Sequence, residues 1–186
     1  MSTLENRNNT ALLVVDTQKG VLGASINSAE VVSHINELVT WNRAAGNPVV
    51  WVQHSNEEME IGSESWEIVD ELIPNPEEKI IRKIYGDSFE GTNLEDLLEK
   101  AGVGHLYVTG AQSDACIRST IHGAFTRGYD VTLVSDAHTT EDLSEWGAPA
   151  PEQVISHTNL YWSFQGAPGR KADVLATEEI VNAGTK

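Results

Sequence analysis

The run Thr10-Ala-Leu-Leu-Val-Val15 is continuously apolar and ends in Asp16. A short run of this kind suits a strand buried on both faces rather than one with a wet side. A strand of that sort needs helices above and below it, and the rest of the chain supplies them. From Ser28, Val31, Val32, Ile35, Leu38 and Val39 recur at helical spacing until Gly46-Asn47-Pro48 stops the pattern. Val49-Val50-Trp51-Val52 reads as a second strand, and Lys79 to Arg82 as a third. Thr92 followed by Glu95 predicts a capping box for a helix to Lys100, ended at Gly102.

The same alternation continues to the end of the chain. His105 to Thr109 is a strand, Asp114 to Arg127 a helix ended by Gly128, and Asp130 to Ser135 a strand. Residues 150–160 read as a helix, and Ala172 to Ala176 as a last short strand before an acidic C-terminal turn. Six strands separated mostly by helices predict an α/β fold: a three-layer α/β/α, doubly wound, Rossmann-like domain on a six-stranded, mostly parallel sheet. Residues 1–9 are polar and read as a disordered lead, with one domain over 10–186. The acidic, irregular stretch 55–78, with Gly62, Pro74 and Pro76, predicts a long surface excursion that could wall a site.

In such a sheet, ligands gather in the crevice beyond the carboxyl ends of the strands. Asp16 follows the first strand, Lys83 the third and Cys116 the fourth. Each has an ordinary reading when taken alone: a turn residue, a solvated lysine, a small buried hydrophobe. Their convergence on one sheet edge points to nucleophilic catalysis, with Asp16 as proton acceptor and Lys83 as its cationic partner. Cys116 falls on the first turn of an expected helix, where the backbone dipole would lower the thiol's pKa.

Charge and composition narrow the partners. Twenty-eight acidic against twelve basic residues give a net charge of −16, which argues against nucleic acid because phosphate contacts need clustered Lys and Arg. A strongly anionic substrate would be repelled unless local cations overrode that field. No apolar run approaches the length of a membrane span. A single cysteine and no export signal favour a reducing cytoplasm. No Gly-rich phosphate loop follows any strand, so no nucleotide cofactor is expected.

Three segments then resemble one known family, the isochorismatase-like cysteine hydrolases. Ala11-Leu-Leu-Val-Val-Asp16-Thr-Gln18 resembles its opening strand and Asp-x-Gln motif. Lys83-Ile-Tyr-Gly-Asp-Ser-Phe89-Glu-Gly-Thr92-Asn-Leu94 is similar to its lysine segment, and Val108-Thr-Gly110-Ala-Gln-Ser-Asp114-Ala-Cys116-Ile-Arg-Ser-Thr120 to its nucleophile segment. Val134-Ser-Asp136-Ala137 matches its next strand end, and the likeness runs in order from about residue 10 to about 180.

The resemblance implies a catalytic triad of Asp16, Lys83 and Cys116. It also implies a cis peptide at Ala111–Gln112 and an oxyanion hole from the backbone N–H groups of Gln112 and Cys116. It implies a dimer or tetramer, an expectation that five tryptophans also favour. Val21 stands where the family often has Phe, which changes a pocket wall. Gln53-His54-Ser55 lacks the Asp-x-His metal run of the nicotinamidases, so no metal is expected, and whether His54 or Trp162 faces the pocket stays open.

The reaction favoured on these grounds is hydrolysis of a small molecule's amide-type C–N bond through a cysteine thioester. Vinyl ether hydrolysis of the isochorismate type is the alternative, and a non-catalytic flavodoxin-like binding module a second one.

Overall fold

The computed structural model describes residues 2–183. Seven strands form one sheet: β1 (Asn9–Val15), β2 (Val49–His54), β3 (Lys79–Lys83), β4 (Val103–Ala111), β5 (Asp130–Thr139), β6 (Gly166–Ala167) and β7 (Arg170–Leu175), in the order β3-β2-β1-β4-β5-β7-β6. The six strands expected from sequence are all present and parallel to their neighbours. The seventh, β6, is a two-residue antiparallel addition at the edge, too short to leave a periodic signal.

The doubly wound form follows from how β1 distributes its side chains. Ala11, Leu13 and Val15 point to one face, where they meet Leu94 and Leu98 of α3 (Leu94–Lys100) and Ile121 and Phe125 of α4 (Arg118–Arg127). Leu12 and Val14 point to the other, against Val31, Ile35 and Leu38 of α2 (numbered after the four-residue helix α1, Lys19–Leu22, and spanning Ser28–Ala44). Alternate residues of one apolar run thus feed two separate cores. Helices α5 (Pro151–Ser163) and α6 (Thr177–Ala183) complete the layers, Trp162 of α5 joining the first core and Ile180 of α6 the second.

The order in which strands are added to the sheet reverses between β1 and β4. The strands are laid outward from β1 through β2 to β3, and β4 then starts again on β1's other side. Such a switch point opens a crevice at the carboxyl ends of the two central strands. The close approach there depends on Gly110, whose φ is +115° and where a Cβ would lie 1.8 Å from the Val15 carbonyl oxygen. A side chain at 110 would drive β4 off β1.

Some local expectations shift. The helix expected from Thr92 starts at Leu94 with Asn93 at its cap; Thr92 donates instead to the Ser88 carbonyl at 2.7 Å, and Glu95 is taken by Arg7 at 2.7 Å rather than folding back as a capping-box partner. The segment that sequence reads as a disordered lead has fixed partners. Thr3 N donates to the Gly128 carbonyl at 3.0 Å, and Arg7 pairs with Glu95 and Glu99. These partners lie far along the chain, where no local pattern reveals them. Of the five tryptophans, Trp51 and Trp162 are core residues while Trp146 is 78% exposed. Among the described residues no helix is long and apolar enough to cross a membrane.

Candidate active site

β1 ends by turning Asp16 into the left-handed region, φ +52°, a conformation that aspartate tolerates better than most residues and that is costly enough to flag a working position. Asp16 N still donates to Val52 O at 2.9 Å, so β2 holds the residue in place. Two residues on, fully buried Gln18 ties three segments together. Its Nε2 donates to the carbonyls of His54 and Trp66, both at 2.9 Å, and its Oε1 accepts from His54 N at 2.8 Å. The Asp-x-Gln motif therefore supplies a buried carboxylate and a clamp that brings the 55–78 excursion over it.

Lys83, the last residue of β3, is 2% exposed and sends its ammonium to Asp16 Oδ2 at 2.7 Å. The same Nζ donates to the Tyr85 carbonyl at 3.2 Å and lies 3.5 Å from His54 Nδ1. Burial, then the Lys83 ammonium, hold His54 below its ordinary pKa. Its neutral ring can accept from that ammonium. No hydroxyl or amide among the described residues donates to the Asp16 carboxylate, which is buried with Oδ1 unpartnered.

Beyond β4 the chain makes the cis peptide Ala111–Gln112 and then a π-helical turn, Ser113–Ile117, that leads into α4. Cys116 is half-buried in that turn rather than on the first turn of a regular helix. The turn is pinned from beneath: Ser113 Oγ lies 2.7 Å from His138 Nδ1, and His138 Nε2 lies 2.9 Å from Asn159 Oδ1. Gln112 Oε1 accepts from Thr140 Oγ1 at 3.0 Å and Glu141 N at 3.1 Å, which ties the Gln112 side chain to the segment after β5.

One cavity of about 380 Å³ collects these groups, with Asp16, His54, Ala111, Gln112 and Cys116 on its wall. The 55–78 excursion contributes Met59 to the wall, as expected, and Val21 and Glu141 join it from elsewhere in the chain. A ligand atom from each of Asp16, His54 and Cys116 lies within 4.8 Å of the other two. Sequence reading expects no metal beside His54, because no carboxylate precedes it by two residues. The fold brings Asp16 there from another strand, and the Lys83 ammonium competes with any cation for that carboxylate.

Electrostatics differ from the expected picture in one respect. A thiol on a regular first helical turn is expected to have a lowered pKa; here burial, then the Asp16 charge, push Cys116 up to about 11. Burial also raises the Asp16 carboxyl, against the pull of Lys83. Cys116 therefore rests as a thiol, and beside it sits a carboxylate made more basic by its surroundings. Trp162 does not reach this cavity, being fully buried in the core. The 55–78 wall was legible in the sequence, whereas the particular roles of Glu58 and Glu141 in the lining and the His138 bonds were not. His138 lies near the carboxyl end of β5, and that position was the available signal.

Fold and cavity define a doubly wound α/β protein with its ligand crevice at the strand-order reversal. Comparison with known proteins carries this to a family. The isochorismatase domain matches residues 10–149. A streptothricin hydrolase of Streptomyces noursei is 37% identical over 171 residues, covering 89% of this chain and 67% of that protein. An isochorismatase family protein of Bacillus subtilis is 30% identical over 182 residues, 92% of this chain and 98% of its own. The crystal structure of an isochorismatase from Pseudomonas putida superposes with a TM-score of 0.84 at 25% identity, covering 92% of this chain and 89% of that one. The chain belongs to the isochorismatase family of hydrolases.

Proposed function

We propose that this hydrolase cleaves an amide-type C–N bond of a small molecule, with Cys116 as nucleophile, Asp16 as acid and base, and Lys83 as the cation that keeps Asp16 ionised. The observation that carries this reading is the buried Asp16 carboxylate, with one oxygen on Lys83 and the other unpartnered, sharing a cavity with the one thiol of the chain. Asp16 accepts the thiol proton as Sγ attacks the carbonyl carbon. The oxyanion is held by the backbone N–H groups of Gln112 and Cys116. Collapse breaks the C–N bond, the leaving amine takes the proton from Asp16, and a thioester remains. Asp16 then deprotonates water, which attacks the thioester and releases the acid and the thiol.

Because the thiol sits near 11, a free thiolate is scarce at pH 7, and deprotonation is coupled to attack on a bound substrate. Similarity to a streptothricin hydrolase supports hydrolysis, and the thiol in the cavity favours a reaction that uses a nucleophile over acid-catalysed vinyl ether cleavage. A screen of small amides, ureides and lactams, quenched and read by mass spectrometry, is expected to find an acyl adduct on the Cys116 peptide. Turnover that persists in full in Cys116→Ala would overturn the thioester scheme. The reading also places the protein in a reducing compartment, since its only cysteine must stay a thiol.

Self-association belongs to the same proposal. Leu160 is 58% exposed at the end of α5, Phe164 just beyond it is 79% exposed, and Trp146 is 78% exposed. These are apolar side chains of the type that interface cores bury. Sedimentation at micromolar concentration is expected to show a multiple of 20.3 kDa; a clean monomer would overturn it.

A further inference from the structure

The cavity wall is anionic. Besides Asp16, which Lys83 neutralises, the charged residues that line it are Glu58 and Glu141. Among the described residues no Lys or Arg lines it: the ammonium of Lys83, itself only 2% exposed, is spent on Asp16 and the Tyr85 carbonyl. His54 is held in its neutral form. Among the described residues, neither Glu58 nor Glu141 has an ion pair or a side-chain hydrogen bond of its own. Their backbones are nonetheless fixed. Glu141 N donates to Gln112 Oε1 at 3.1 Å and its residue bridges to Ser25, while Glu58 N donates to Asn56 Oδ1 at 3.0 Å.

Two carboxylates without ion pairs among the described residues, exposed Glu58 and half-buried Glu141, thus line a chamber that also holds an unpartnered, fully buried carboxylate oxygen and the thiol. The chain's charge of −16 adds to the same field. A carboxylate-bearing ligand would meet repulsion with no cation to offset it, whereas a protonated amine would find two free acceptors.

We propose that the substrate is a cationic amide or lactam, one that carries a protonated amine apart from the bond to be cut, and that Glu58 and Glu141 select it. This rests on amide hydrolysis being the reaction, so the test reads binding, in a protein that cannot turn over. Three probes of matched length differ only in charge: 6-aminohexanamide, hexanamide and adipic acid monoamide. Calorimetry on the Cys116→Ala protein is expected to show the cationic probe binding at least about tenfold tighter than the neutral one, the amount two partly exposed ion pairs supply. The anionic probe should bind weakest, and the spread should shrink as salt is added. In Glu58→Gln/Glu141→Gln the preference is expected to vanish. It should survive in Glu37→Gln/Glu152→Gln, which changes the net charge equally at exposed helix positions on α2 and α5. Equal binding of the three probes, tighter binding of the anion, or a preference that survives loss of both wall carboxylates would overturn the assignment. Failure of amide hydrolysis itself would show separately, as native protein that binds 6-aminohexanamide with the predicted preference and forms no acyl adduct.

Discussion

Cys116→Ala is expected to lose all turnover of any amide that the native protein hydrolyses, while melting close to the native temperature. The side chain is half-buried and small, packed beside the first core rather than within it. Losing one sulfur there costs about 1 kcal/mol or less. Its chemical loss is far larger, because the proposed scheme forms its acyl intermediate on this sulfur. Asp16→Asn keeps the shape of the carboxylate and removes its charge and its ability to take a proton. That change alone should lower kcat by at least about 100-fold, the lower range for one acid–base contact. The informative experiment is the cycle between them. Groups that act on one proton in one step are not additive, so Asp16→Asn/Cys116→Ala should be hardly worse than Cys116→Ala. Losses that multiply would mean that the two residues act in separate steps, and the scheme would be wrong.

Lys83→Met is expected to damage both activity and stability, and to move the thiol in a definite direction. Among the described residues the ammonium is the only cation paired with the buried Asp16 carboxylate. Removing one partner of a buried pair leaves the other charge uncompensated, at a typical cost of about 3–5 kcal/mol. Asp16 would respond by holding a proton, its pKa already raised by burial, and a protonated Asp16 cannot accept one from the thiol. The loss in kcat should again be at least about 100-fold.

The thiol reports the same change without any substrate. Its pKa is pushed up to about 11, with Asp16 raising it and Lys83 lowering it. Iodoacetamide alkylation of native Cys116 should therefore climb steadily from neutral pH toward a plateau above 11. In Lys83→Met, measured while Asp16 is still ionised, the midpoint should move up. In Asp16→Asn, where the raising charge is gone, it should move down although turnover falls. A variant more readily alkylated yet less active separates the electrostatic role of Asp16 from its role as base. An unmoved midpoint in both variants would remove the coupling on which the triad depends. If Lys83→Met fails to fold, Lys83→Arg retains the charge while altering the 2.7 Å contact, and should lose activity with a smaller change in the thiol.

The architecture was legible because its signals are local. A run such as Ala11 to Val15, apolar at every position, has to be covered on both sides, and the helices that cover it announce themselves by spacing and stop residues. The ends of those strands also identify where Asp16, Lys83 and Cys116 stand. What was misread locally was misread for tertiary reasons. Thr92 and Glu95 form no capping box because Arg7 takes the glutamate. Cys116 lies in a π-helical turn held from below by His138 and Asn159.

Sequence by itself, then, determined the six-stranded parallel core and that Asp16, Lys83 and Cys116 stand at its carboxyl edge. Tertiary structure alone decided that β1 and β4 lie side by side, that His54 leans on Lys83, and that Glu58 and Glu141 share a wall. It also reversed the expected state of the thiol. The physical reason is one of range. Strand and helix preference is a property of a few neighbouring residues, whereas strand order, burial and electrostatic potential are sums over groups scattered along the whole chain.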